Sequence, residues 1–140
     1  MKQEDKQLLL VDLCARLPYG VIVQINDGLK GIYDRRLVQV FCDRLSCSVN
    51  VCNPLKECIC IDSVKPYLRP ISSMSEEEKK EFIDAVTWEA NGKFYIDECE
   101  DISFYQEKYD WLNAHHFDYR GLIDKGLAIE VTEDNNHYKD

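Results

Sequence analysis

Two adjacent histidines, His115 and His116, stand in the stretch DWLNAHHFDYRGLIDKG (residues 110–126), beside Trp111, Asp118 and Arg120. Imidazole moves protons and binds metals near neutral pH, so chemistry is sought here first. The spacing argues against a shared metal ion. Neighbouring residues of a helix point about 100° apart, whereas a helical zinc pair uses i, i+4 spacing, as in HExxH. The pair reads better as a helix end. There one imidazole gains from the negative pole of the helix dipole, and the other packs on Trp111 or Tyr119. A pairing of His115 with Asp118 needs the helix to run through Phe117, and it is expected to stop before that. His115, His116, Asp118, Arg120 and Trp111 are therefore candidates for contact with a partner, not for catalysis or metal binding.

Thiols are the second possible source of chemistry. There are seven cysteines, an odd number, and they are expected to be reduced, buried and packed as small hydrophobes. Cys58-Ile-Cys60 is the tightest pair, with both thiols on one face if the segment is a strand. Zinc would need Cys47 or Cys52 as further donors, and the CxxC knuckle typical of such sites is missing. A catalytic thiol–imidazole pair built on Cys14 or Cys99 has no local support. The chain contains no GxGxxG, P-loop or GxSxG motif. No catalytic residue, cofactor site or metal site is assigned.

The third possibility is a basic face. Arg35, Arg36 and Arg44, with Tyr33, combine cations and an aromatic ring as single-stranded nucleic acid binding does. Lys56, Lys65, Arg69, Phe41 and Tyr67 extend the set. Asp27, Asp34, Asp43 and Asp62 are interleaved with them, which favours a mixed surface over a phosphate track.

The elements that must position these groups follow from periodicity. Residues 3–17 read as a helix with Leu10, Leu13, Cys14 and Leu17 along one stripe, stopped by Pro18. VIVQIND, LKGIYD, LVQVFCD, CSVNVC and ECICID are short strand-like runs separated by turn residues such as Asn26-Asp27-Gly28 and Asn53-Pro54. Two prolines in VKPYLRP make an extended crossing segment. Ser75-Glu-Glu-Glu78 is a capping box opening a helix that Asn91-Gly92 should end. KFYID is a further short strand. Ser103 and Gln106 suggest a second capping box, before FYQEKYDWLNAHH. Asp118 should cap a last short helix, YRGLIDK. LAIEV is a final strand, and the polar tail TEDNNHYKD should fray.

These readings add up to an α+β fold. An N-terminal helix and a small antiparallel SH3-like barrel would occupy residues 1–70, with an acidic helical half over 71–140 packed on it. The chain has 140 residues, enough for one compact core. Its charge is polarised. Residues 1–70 carry ten Lys/Arg and eight Asp/Glu, whereas residues 71–140 carry seven and eighteen. The acidic half repels phosphate backbones and suits a basic protein partner. No apolar run approaches the roughly 20 residues that span a bilayer. The carboxylates of MKQEDKQLLLVDLCARLPYG are unlike the basic start of a secretory signal, so no membrane association and a cytoplasmic location are expected.

Three stretches, LLLVDLCARLPYGVIVQIND, KPYLRPISSMSEEEKKEF and YDWLNAHHFDYRGLIDKGLAIE, resemble small uncharacterised proteins of gut Bacteroidetes bacteriophages, prophages and genomes. No activity is established for that family, so the resemblance implies no catalytic residues. It implies a mobile-element or host origin and an intracellular setting. The expectation is a non-enzymatic binding or adaptor protein engaging a host or phage protein. A nucleic-acid or nucleotide binder using the barrel is the first alternative, and a zinc-dependent protein or small hydrolase the second.

Overall fold

A computed structural model describes residues 2–28, 31–42, 47–51, 59–90, 93–96 and 102–138. It begins with helix α1 (Gln3–Arg16), followed by strands β1 (Ile22–Asp27), β2 (Gly31–Cys42), β3 (Cys47–Val51), β4 (Ile59–Cys60) and β5 (Val64–Pro70). Helix α2 (Glu76–Val86), hairpin strands β6 (Thr87–Ala90) and β7 (Lys93–Ile96), helix α3 (Ile102–Ala114) and the two-residue strands β8 (Phe117–Asp118) and β9 (Ile129–Glu130) complete it. Among the described residues no helix is long and apolar enough to cross a membrane.

The expected closed barrel is not formed. β1 to β4 make an antiparallel meander, and β5 returns antiparallel to β1, giving the order β4-β3-β2-β1-β5. Closure would require the free side of β5 to meet β4. That side is taken instead by β8 and β9, both parallel to β5, and β4 has only two residues. The result is an open, mixed, seven-stranded sheet. The expected helical C-terminal half fails for the same reason. Alongside α2 and α3, residues 71–140 contribute a hairpin and two strands of the main sheet. Arg69 N donates to His116 O at 2.8 Å, and Val131 N to Leu68 O at 2.8 Å, extending those pairings.

Several local readings also change. The runs read as two strands, LKGIYD and LVQVFCD, are joined over Gly31–Cys42 in one continuous strand, bulged between Leu37 and Gln39, while Leu29, Lys30 and Asp43 lie outside the described residues. The helix after Ser75 stops at Val86, because Thr87–Ala90 pairs with β7; Asn91 and Gly92 lie outside the described residues. Ser103 falls inside α3, one residue past its start, and so is not its cap. No helix forms over YRGLIDK. Asp118 does cap that segment, accepting from Leu122 N at 3.0 Å and Ile123 N at 2.9 Å. The Ser75 box forms as read. Glu78 N donates to Ser75 Oγ, and Ser75 N to Glu78 Oε1, both at 3.1 Å.

The core lies between α1 and one face of the sheet. Leu9 and Leu13 of α1 meet Val23 and Ile25 of β1, Leu37 of β2, Val49 and Val51 of β3, and Val64 and Leu68 of β5. Leu122, Leu127 and Ala128 close its rim. A fully buried leucine contributes on the order of 2 kcal/mol relative to exposure. The buried stripe of α1 is not the one read from apolar residues. It is Leu9, Asp12, Leu13 and Arg16, the same i, i+3, i+4, i+7 pattern turned by one residue, and it leaves Cys14 exposed. A second cluster joins Met74, Leu112 and Phe117, with Phe82, Trp111 and Tyr119 against it.

Candidate functional site

The histidine pair is the end of α3. His115 N donates to Trp111 O in helical register, and His116 N reaches back only to Asn113 O, both at 3.1 Å. His116 then takes φ of 64°, the left-handed conformation that reverses the chain into β8 and that side chains other than glycine adopt sparingly. The two rings diverge. His115 packs on Trp111 at a centroid distance of 4.0 Å, with Glu81 Oε1 3.8 Å away. His116 stacks on Tyr138 at 3.6 Å and 12°. Its Nδ1 is buried without a hydrogen-bond partner among the described residues. Burial first, then the charge of Arg16, pulls the His116 pKa down to about 4. It is a neutral, packed ring at pH 7.

The other proposed contact residues separate as well. Trp111 is half-buried between Phe82 and Phe117, and Asp118 spends both carboxylate oxygens on its cap. Arg120 alone among the five lines an open cleft. That cleft, about 520 Å³, is bounded by Ala15 of α1, Tyr109 and Asn113 of α3, and Tyr119 and Arg120 of the segment after β8.

The cleft is rigidly built. Asp12, fully buried, accepts from Arg16 Nε at 2.8 Å and from Arg120 Nη1 at 2.8 Å. Its two oxygens thus hold one guanidinium beneath the cleft and one at its wall. Arg120 lies 4.4 Å from the Tyr119 ring centroid and Arg16 5.4 Å from it. Tyr119 O–H donates to Asn113 Oδ1 at 2.9 Å, which fixes its ring 5.0 Å from that of Tyr109 at 34°. Tyr109 remains 36 % exposed and is the accessible aromatic surface. At the neighbouring junction of α1 and α3, desolvation and then the Asp110 carboxylate, to which it hydrogen-bonds, raise the Tyr19 phenol above its ordinary range. An arrangement of two tyrosine rings, an amide and a guanidinium offers stacking and directed hydrogen bonds.

Sequence reasoning missed Tyr109 and Asn113 as a unit, although their i, i+4 spacing on α3 places them on one helix face. It also missed the anchoring of the tail, expected to be frayed. Tyr138 O–H donates to Tyr67 O at 2.8 Å and its oxygen accepts from Ile22 N at 2.9 Å. His137 Nε2 sits 3.3 Å from Asp34 Oδ2, and Tyr67 O–H donates to Asp34 Oδ1 at 2.7 Å.

The basic face is divided. Arg35 covers Tyr33 at 5.2 Å and donates to Asp34 O at 2.7 Å. Arg36 follows it directly in β2, so it projects from the opposite face, near Gly20. Arg44 lies outside the described residues. The buried-thiol expectation also fails where it can be checked, since Cys14, Cys42 and Cys60 are exposed and Cys47 is half-buried. Among the described residues no group of three or more His, Cys, Asp or Glu side chains is arranged to hold a metal ion.

No protein-family model, curated protein or solved structure matches this chain.

Proposed function

We propose that the protein is a non-enzymatic binding or adaptor module that engages a protein partner at the cleft between α1 and α3. The observation that carries this is the Tyr109–Tyr119 pair, held at 5.0 Å beside Arg120 with Tyr109 open to solvent. Aromatic and arginine side chains positioned in advance lose little conformational freedom on binding, and such groups dominate the energetics of interfaces. The occupant that fits is an aromatic side chain stacked on Tyr109 whose backbone or amide groups meet Asn113 and Arg120. Around it, residues 71–140 carry eighteen Asp/Glu against seven Lys/Arg, which favours basic flanking residues on the partner.

The resemblance to phage and prophage proteins makes a host or phage protein the partner class, in a cytoplasmic setting. Capture from native host lysate with the wild-type chain, Tyr109→Ala and Arg120→Ala tests the reading. One protein retained by the wild type and lost by Tyr109→Ala, with the melting temperature unchanged, supports it. Equal retention by all three chains removes the cleft from the mechanism. Retention instead of a nucleic acid, with binding that weakens steeply as salt rises, replaces the reading with the nucleic-acid alternative.

A further inference from the structure

Cys42 ends β2 and Cys47 begins β3, and the two are register partners across the antiparallel ladder. Their sulfurs lie 2.8 Å apart. Side chains of directly opposed residues project to the same face of the sheet, so strand pairing itself holds the thiols together. Cys42 is exposed and Cys47 half-open, which gives a small oxidant access. We propose that Cys42 and Cys47 form an oxidant-responsive dithiol that closes reversibly to an intramolecular disulfide.

Hydrogen peroxide is the simplest oxidant class for the step. One thiolate attacks a peroxide oxygen; the O–O bond breaks, leaving a sulfenic acid and a hydroxide that takes up a proton as water. The partner thiolate then attacks the sulfenic sulfur. The S–S bond forms, the S–O bond breaks, and a second water leaves. In sum, two thiols and one peroxide become one disulfide and two waters. Oxidised glutathione, a disulfide, can drive the same closure by exchange with release of two reduced glutathione molecules, and two reduced glutathione molecules can reverse it with release of the oxidised form.

Among the described thiols the geometry selects this pair. Cys60 is the register partner of Ser48, which faces away from Cys47 by strand alternation, and its sulfur turns to Asp62 Oδ2 at 3.7 Å. Cys14 of α1 is close enough for Cys42 to raise its pKa, after desolvation, but it lies on a helix and is not held opposite Cys42 by strand pairing, as Cys47 is. Cys14 is the competitor that the test must distinguish.

The full chain is treated with hydrogen peroxide, alkylated, weighed intact and peptide-mapped. The expected result is the loss of two hydrogens, a Cys42–Cys47 linkage, and full reversal by dithiothreitol. Cys14→Ser should leave that linkage in place. Cys47→Ser should abolish it and leave Cys42 trappable by dimedone. A linkage from Cys42 to Cys14, no intramolecular linkage at all, or one zinc ion per purified chain held by these sulfurs would overturn the proposal. The wild-type map decides the matter even if a variant fails to fold.

Discussion

Arg16 Nη2 donates to the backbone carbonyl of Phe117 at 2.6 Å, across 101 positions of sequence. Both residues are fully buried. This bond joins the last turn of α1 to β8, and Asp12 neutralises the guanidinium that makes it. Removing Asp12 strands a buried charge. Asp12→Ala is expected to cost about 3–5 kcal/mol in urea unfolding, because an unpaired buried ion is far costlier than a missing pair. Replacing both groups, Asp12→Leu with Arg16→Met, should recover most of that loss. Arg120→Ala removes one donor from the buried Asp12 but leaves its pairing with Arg16, and should cost less, about 1–3 kcal/mol. Equal losses for Asp12→Ala and Arg120→Ala would show that Arg16 does not depend on this carboxylate.

His116 links stability to pH. Its folded pKa of about 4 lies below the ordinary 6.5, so between those values the unfolded chain binds more protons than the folded one. Stability should therefore be complete above about pH 6.5 and fall as pH drops toward 4. Urea midpoints at pH 7 and pH 5 measure the slope. His116→Asn, which tolerates the left-handed backbone, should flatten it. An unchanged slope would assign the effect to another group.

Glu78 separates an ion pair from a helix cap. Arg69 donates to it through Nη1 at 2.7 Å and Nη2 at 2.6 Å, and this holds the carboxyl at about 2, below its ordinary 4.5. The stabilisation it gives is present above about pH 4.5 and lost as pH falls toward 2. Glu78→Gln keeps a residue able to complete the capping box but removes the charge. It should cost about 1–2 kcal/mol at pH 7 and remove the acid-limb slope. Ser75→Ala should cost about 1 kcal/mol and leave that slope intact. Thermal melts at pH 7 and pH 3 compare the two.

Tyr138 should behave as a structural residue despite its place near the C-terminus. Its hydroxyl satisfies Ile22 N and Tyr67 O together, and burial raises its pKa. Tyr138→Phe keeps the stack on His116 but orphans both backbone groups, at about 1–3 kcal/mol. Amide exchange at Ile22 should quicken in that variant. Unchanged protection there would mean that the tail is not anchored through this oxygen.

How much was legible in advance is clearest at α1. The helix was read as residues 3–17 and is Gln3–Arg16. Its buried face differs by one position from the apolar stripe Leu10, Leu13, Cys14 and Leu17, because Asp12 and Arg16 are buried in it. A buried ion pair carries no apolar signal, and the further partners that meet it, the carbonyl of Phe117 and the guanidinium of Arg120, lie 101 and 108 positions away. The cleft was partly visible in the same way. Arg120 is among the candidates read from the sequence, while Tyr109 and Asn113 are not, since nothing local says that α1 will lie opposite them. Arg35 and Arg36 show the reverse case, where strand alternation already implied that two neighbouring cations cannot serve one face.

By itself the sequence determined the local elements: the Ser75 capping box, the α1 span, the strand periodicity of β1 and β3, and the stop at His115–His116, whereas VKPYLRP, read as a crossing segment because of its prolines, is the interior strand β5. These depend on backbone propensity, side-chain period and caps, all set by neighbours within a few residues. Tertiary structure alone decided that the sheet stays open, that β8 and β9 take the free edge of β5, and that Asp12 lies between two arginines. The edge pairings and the Asp12–Arg120 contact join residues roughly 50–110 positions apart, and choosing among such partners requires the loop-closure cost and packing of the whole chain.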